Sequence, residues 1–200
     1  MGKIDNKKKQ KMDNLLNTAF ELFTSQGLYK TSISDIVQKA GVAKGTFYLY
    51  FKDKYDIRNR IISHQASLLF ENAYNELQNE NIVQFEDRLL FITNHILDSL
   101  NNNKTLMQFM YKDLSWGVFK KALLTQTGND DVDFAKIYQK MIDESGVKFS
   151  NPEVMLFLII ELVGSTGYSS IMYSDPVSLE ELKPCLDMSI RNIIKQFTIS

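Results

Sequence analysis

The sequence predicts an all-α protein, and three observations carry that expectation. Apolar residues recur at helical spacing along nearly the whole chain, and no alternating β-branched run lasts long enough to mark a sheet. The three prolines, Pro152, Pro176 and Pro184, all fall in the last quarter, leaving the rest free of the strongest helix breaker. Start and stop signals are explicit: S-x-x-D and S-x-x-E capping boxes at Ser32 and Ser178, and glycines where helices should end.

Taken in order, the first helix places Met12, Leu16, Ala19, Phe20 and Phe23 on one face and stops at Gly27. A short second helix follows the Ser32–Asp35 box, carries Ile36, Val37 and Ala40, and ends at Gly41. A third runs from about Ala43 to Tyr50, with Phe47 and Phe51 one turn apart and pointing inward. Asp53 caps a long fourth helix that reaches about Gln78. Further helices are expected over residues 83–100, 105–124 with a break near Trp116-Gly117, and 132–144, with 125–131 as a loop. Asn151 as cap and Pro152 as first helical residue open an unusually apolar helix that continues toward Tyr173. The last helix follows the Ser178 box; Pro184, inside its pattern, either kinks it or marks its true start.

Composition closes several function classes. At 200 residues and 44% hydrophobic, the chain suits one globular unit or two small domains that need neither disulfides nor a structural metal. A single cysteine, Cys185, excludes an internal disulfide framework and Cys-cluster zinc, and His64 and His95 are too few for a His-rich centre. Asp130, Asp131 and Asp133 lack the glycine and terminal glutamate of an EF-hand. No cofactor or metal is expected. The N-terminus has neither an apolar signal core nor the Ser or Thr at the sixth position that myristoylation needs. The longest apolar run, Val154–Ile160, is too short to span a bilayer. A cytoplasmic chain without a membrane partner is the expectation. No G-x-S-x-G, P-loop, dinucleotide fingerprint or H-E-x-x-H occurs, so no catalytic residues are assigned and an enzyme is not expected.

The net charge of −1 conceals a division: residues 1–60 hold twelve Lys/Arg against six Asp/Glu, for +6, and the remainder carries −7. A basic head on an acidic body directs the head toward an anionic partner.

Within that head, residues 32–51 hold two short helices joined by a glycine-containing turn, the helix-turn-helix plan whose second helix enters the DNA major groove. Small Ala40 lets the helices cross closely, Gly41 accepts positive φ, and Val42, Phe47 and Phe51 bury the second helix. Lys44, Gly45, Thr46, Tyr48 and Leu49 are left outward. Gly45 costs the helix roughly 1 kcal/mol relative to Ala, so it serves either close approach to a base or phosphate, or packing against the first helix. Tyr48, Tyr50, Thr31 and Ser32 offer hydroxyls to phosphates, and Lys54 an ammonium from the start of the fourth helix. Lys7, Lys8, Lys9 and Lys11 read either as an arm along the DNA or as a solubilising tail.

The segments Gly27–Ile36 (GLYKTSISDI) and Gly41–Lys54 (GVAKGTFYLYFKDK) together resemble the TetR family of transcriptional regulators, over about residues 10–56. The resemblance implies a homodimer with one helix-turn-helix per subunit, a DNA-binding domain over residues 1–53, and a helical effector-binding and dimerisation domain over 54–200. It places Lys44 and Gly45 near bases, and Thr31, Tyr48, Tyr50 and Lys54 on the backbone of a pseudo-palindromic double-stranded operator; half-sites are expected about one turn apart, or bound by paired dimers if spaced otherwise. Three positions depart from the common pattern: Ala43 replaces a capping Ser or Thr, Leu49 a polar aromatic, and Tyr50 a His. Leu49 suits a thymine methyl.

In the body, Val154, Leu158 and Leu162 on one helix, and Leu182, Leu186, Ile190, Ile193 and Phe197 on the last, form stripes that either dimerise or close the monomer core. Gly164 and Gly167 permit close helix approach. Phe91, His95, Met107, Met110, Tyr111, Trp116, Phe119, Tyr138, Tyr168 and Met172 are the candidates for an effector pocket, which is therefore expected to be largely apolar. His95 reads equally as a hydrogen-bonded core residue, and Glu161 as a group that either recognises a cation or pairs internally. The function expected is a sequence-specific regulator, a repressor released by a small-molecule effector. The alternative is a helical architectural or protein-interaction module without ligand sensing.

Overall fold

A computed structural model describes residues 3–111 and 134–199. The chain divides into two compact units, with the boundary between His64 and Gln65.

The first unit comprises α1 (Lys3–Gln26), α2 (Ile33–Lys39), α3 (Lys44–Tyr50) and the start of α4 (Lys54–Leu77). Its punctuation follows the local chemistry of the sequence. Gly27, at φ +89°, ends α1. Ser32 and Asp35 form the reciprocal capping box of α2: the Asp35 amide donates to Ser32 Oγ at 3.1 Å, and the Ser32 amide to the Asp35 carboxylate at 2.8 Å. Gly41, at φ +66°, closes α2 in a Schellman motif, with Val42 N–H donating to the Val37 carbonyl at 3.0 Å. Ala43 caps α3 with no side-chain bond, the loss its methyl group implies. Asp53 Oδ1 accepts from the amides of Tyr55 and Asp56 at 2.8 and 2.9 Å, fixing the start of α4.

The buried stripe of α1 is Leu15, Ala19 and Phe23, spaced four apart; Met12, Leu16 and Phe20 flank it, half-buried. Facing elements contribute Ile36, Val37, Phe47, Phe51 and Ile57, all buried. The lysine-rich start is helical from Lys3 onward, and Lys8, Lys9 and Lys11 are exposed along it.

The second unit continues with α5 (Phe85–Asn102), α6 (Lys104–Tyr111), α7 (Phe134–Ser145), α8 (Pro152–Tyr173) and α9 (Leu179–Phe197). The expected break at Trp116-Gly117 and the loop over 125–131 lie outside the described residues, as do Asp130, Asp131 and Asp133. Asn151 Oδ1 caps α8 by accepting from Val154 N–H at 3.1 Å, and the Ser178–Glu181 box starts α9. The box fixes the start of α9 at Leu179, and the helix continues through Pro184. A two-residue antiparallel ribbon, β1 (Lys148–Phe149) with β2 (Thr198–Ile199), joins the entry to α8 to the end of α9; it is too short to leave an alternating signal in sequence.

By length and mean hydropathy, 1.6 over its apolar window, α8 could cross a membrane. Its Met155, Leu156, Ile159, Tyr168 and Ile171 are buried here, and the helix packs on α5, α6 and α9. Gly167 provides the close approach: a β-carbon there would lie 2.7 Å from Leu97 Cδ2 on α5. Gly164 does not, because nothing stands within 4 Å of its would-be β-carbon. On α9, Leu186, Ile190 and Ile194 are buried in the core, so the middle of the expected dimer stripe closes the monomer. Val154 and Leu158 on α8 and Met188 on α9 remain exposed. Ion pairs tie the rim, with Arg88 to Glu144 at 2.8 Å and Arg191 to Asp87 at 2.6 Å and Glu86 at 3.3 Å.

Candidate nucleic-acid interface and apolar cavity

Helical steps of 100° spread Lys44, Tyr48, Gly45 and Leu49, in that order, across about 140° of α3, and all four are exposed. Phe47 sits on the opposite side, fully buried, with its ring centroid 5.5 Å from that of Phe51. An aliphatic Leu49 with 80% of its surface in solvent and a half-exposed Tyr48 beside it form an apolar and aromatic face that the first unit does not cover. Gly45 packs against nothing: a β-carbon there would meet no atom within 4 Å. Packing against α1 is thereby excluded as the reason for the glycine, and the space over it is open to a partner. Ser32 is exposed, with its hydroxyl at the cap of α2, and Thr46 is half-buried.

Of the residues expected on the DNA backbone, Thr31 is buried, while Tyr50 and Lys54, both half-buried, place donors on carbonyls of the protein itself. Thr31 is 1% exposed; its hydroxyl donates to the Gly27 carbonyl at 2.8 Å and accepts from Gln26 Nε2 at 3.2 Å, latching the α1–α2 turn. Tyr50 donates its phenol to the Lys8 carbonyl at 3.3 Å, tying α3 to α1. The Lys54 ammonium donates to three carbonyls of the same turn, Leu28 at 2.9 Å and Tyr29 and Thr31 at 3.4 Å, and lies 5.9 Å from the ring centroids of both Tyr29 and Tyr55. An ammonium has three protons to give; the bond to Leu28 has full strength, the other two are at the edge of hydrogen-bonding range, and the side chain is half-buried. Thr31 and Lys54 share one cause: each donates to carbonyls just past the end of α1, where backbone acceptors lack helical partners, whereas Tyr50 reaches a carbonyl within α1. Tyr29, 85% exposed at the turn they hold, is the surface hydroxyl that sequence reasoning missed.

The second unit contains a cavity of about 610 Å³, within the range of small-molecule sites. Its walls come from α4 beyond Gln65 and from α5, α6, α7 and α8. Of the expected lining residues, Met107, Met110, Tyr111, Tyr138 and Glu161 are on the wall. Tyr168 stands behind Tyr111, the two rings parallel within 7° at 3.6 Å, and its hydroxyl is 3.3 Å from that of Tyr173. Phe91 and His95 stack on each other at 6.2 Å and, like Met172, are not among the wall residues. Trp116 and Phe119 lie outside the described residues. Much of the wall was not foreseen, including Leu89, Ile92, Leu97, Leu100, Leu156 and Ile159.

The polar groups on the wall are few and mostly engaged. Thr93 donates to the Leu89 carbonyl at 2.9 Å, and Tyr138 to the Pro152 carbonyl at 3.0 Å. Burial pushes the Tyr138 phenol well above its ordinary value, so it stays neutral. Glu161 is exposed and makes no ion pair among the described residues.

A helix-turn-helix with an uncovered second helix, on an all-helical chain carrying an apolar cavity, defines a DNA-binding regulator. Comparison with known proteins gives the family. Residues 15–61 match the model of bacterial regulatory proteins, tetR family. The Transposon Tn10 TetC protein of Escherichia coli is 30% identical over 155 residues, 76% of this chain and 75% of that protein. The uncharacterized HTH-type transcriptional regulator YvdT of Bacillus subtilis is 57% identical over 68 residues, 34% of this chain and 33% of that protein. Matches to this and two further curated regulators span 33–45% of those proteins' lengths. The regulator FadR of Bacillus subtilis, solved in complex with stearoyl-CoA, shares the fold at a TM-score of 0.62 and 17% identity, covering 90% of this chain and 96% of that one. The chain belongs to the TetR family of DNA-binding transcriptional regulators, which are not enzymes.

Proposed function

We propose that this regulator is a repressor that binds a pseudo-palindromic operator as a homodimer and is released when a small, largely apolar molecule occupies the cavity. The observation that carries the DNA side is the uncovered arc of α3, where Lys44 and Tyr48 flank the open space over Gly45 and Leu49 presents an exposed isobutyl group. Lys44 is the donor for a base edge, Leu49 the partner for a thymine methyl, and Tyr48, Tyr29 and Ser32 the contacts to phosphates. Thr31, Tyr50 and Lys54 shape the surface from behind. Exposed Val154, Leu158 and Met188 support a dimer contact through α8 and α9.

On the effector side, a 610 Å³ apolar cavity supports small-molecule binding, and the structurally similar FadR was solved with stearoyl-CoA. Ligand-induced preference for a state that misplaces the two heads weakens DNA binding by its differential affinity, typically about 1–3 kcal/mol.

Fluorescence anisotropy on the DNA upstream of the chain's own gene, against a scrambled duplex at two salt concentrations, tests the reading. Preference for the native DNA by at least ~10³ supports it. Equal, weak binding to both duplexes points to the architectural alternative.

A further inference from the structure

We infer that the cavity selects a lipophilic cation over an anionic or acyl-chain ligand; the inference rests on taking the cavity as the effector site. Its carrier is one stripe of α8. Glu161 and Tyr168 are seven residues apart, 20° short of two full turns, so they lie on one face about 10 Å apart along the helix axis. Gly164 and Ser165 fall between them. The would-be β-carbon of Gly164 meets nothing within 4 Å, so the wall has a shallow saddle there, bounded by a carboxylate at one end and aromatic rings at the other. At that aromatic end, Tyr111 lines the cavity and is backed by Tyr168 at 3.6 Å.

Each part of that arrangement answers a need of a hydrophobic cation. The formal charge on the wall, among the described residues, is the Glu161 carboxylate. Tyr111 lines the cavity with one ring face stacked on Tyr168, and an aromatic ring at the wall can attract a cation within about 6 Å of its centroid. The remainder of the wall is mostly apolar, and its Thr93 and Tyr138 hydroxyls already donate to backbone carbonyls, so it takes a hydrocarbon body at little polar cost. An anion of the same size meets the Glu161 carboxylate, which repels it.

The test uses the full chain without DNA and two probes of nearly the same shape and opposite charge, tetraphenylphosphonium and tetraphenylborate, titrated calorimetrically. The phosphonium should bind at least tenfold more tightly than the borate. Glu161→Gln, which keeps shape and removes charge, should bring the two within about threefold, and Gly164→Leu should weaken the phosphonium at least tenfold by filling the saddle. Circular dichroism of each variant confirms that it is folded. Equal or tighter binding of the borate, an unchanged ratio in Glu161→Gln, or binding of neither probe overturns the inference, as does palmitate binding more tightly than the phosphonium. A chain that binds the cation but prefers no DNA sequence upholds this inference and defeats the regulatory proposal. One that binds its operator but not the cation does the reverse.

Discussion

Replacing Lys54 by methionine separates two roles that a lysine at the start of α4 can play. The substitution keeps the length of the side chain and removes all three donors. Of its bonds, the one to the Leu28 carbonyl at 2.9 Å has full strength, while those to Tyr29 and Thr31 at 3.4 Å are at the edge of hydrogen-bonding range. Charged-donor bonds contribute about 1.5–3 kcal/mol each, and the half-exposed ammonium places this one at the low end, about 1.5 kcal/mol in all. If the turn carrying Thr31 and the start of α2 loosens by that amount, DNA affinity falls by about tenfold. The salt dependence decides the cause. A lost phosphate contact lowers the slope of log affinity against log salt by about 0.9, which narrows the fall between ~50 and ~200 mM by about 3.5-fold. Loss of a positioning residue leaves the slope as it was and lowers the denaturation midpoint. The assay is anisotropy across that salt range on any duplex the protein binds, paired with a urea melt. A slope reduced by about one, with an unchanged melt, refutes the positioning role.

Gly45→Ala should stabilise the chain by about 0.5–1 kcal/mol in a urea melt, because glycine is a poor helix former and its β-carbon enters open space. The same variant should bind DNA more weakly; unchanged affinity would show that nothing approaches that backbone. Lys44→Ala should cost about 1–3 kcal/mol on operator and much less on scrambled duplex, and equal losses on both would make Lys44 a backbone contact. Backbone and side-chain hydrogen bonds with Ser32 hold the Asp35 carboxyl below its ordinary value. Its contribution to the α2 cap is therefore complete above the unfolded carboxylate range and lost as pH falls through the lowered folded value. The stability gap between wild type and Asp35→Ala, followed by urea melts from neutral pH into acid, should be constant near neutrality and shrink below pH ~4; a gap that widens in acid would contradict the cap.

Much of the molecule was readable without coordinates because it is locally encoded. The boxes at Ser32 and Ser178, the Asn151 cap ahead of Pro152, the positive φ of Gly27 and Gly41 and the cap at Asp53 all involve residues within four or five positions of one another. The outward set on α3 follows from a 100° step once Phe47 is assigned to the core. Periodicity was weaker on α1, where Leu15 rather than Met12 or Leu16 is the deepest residue, since neighbouring apolar positions on one face are ranked only by what packs against them. The cavity shows the same limit. Leu89 and Ile92 on its wall have the apolar pattern of ordinary core residues, and a void differs from a core only in the absence of a facing atom.

The sequence by itself therefore determined the all-helical class, the helix limits in the first unit and the side of α3 turned outward, because these depend on chain-local hydrogen bonding and helical phase. Only the tertiary structure decided which carbonyls Thr31, Tyr50 and Lys54 reach. Lys54 reaches carbonyls 23 to 26 residues earlier, and Tyr50 one 42 residues earlier. A donor's type is written in the sequence, but which carbonyl lies 3 Å from it is settled by how the helices pack.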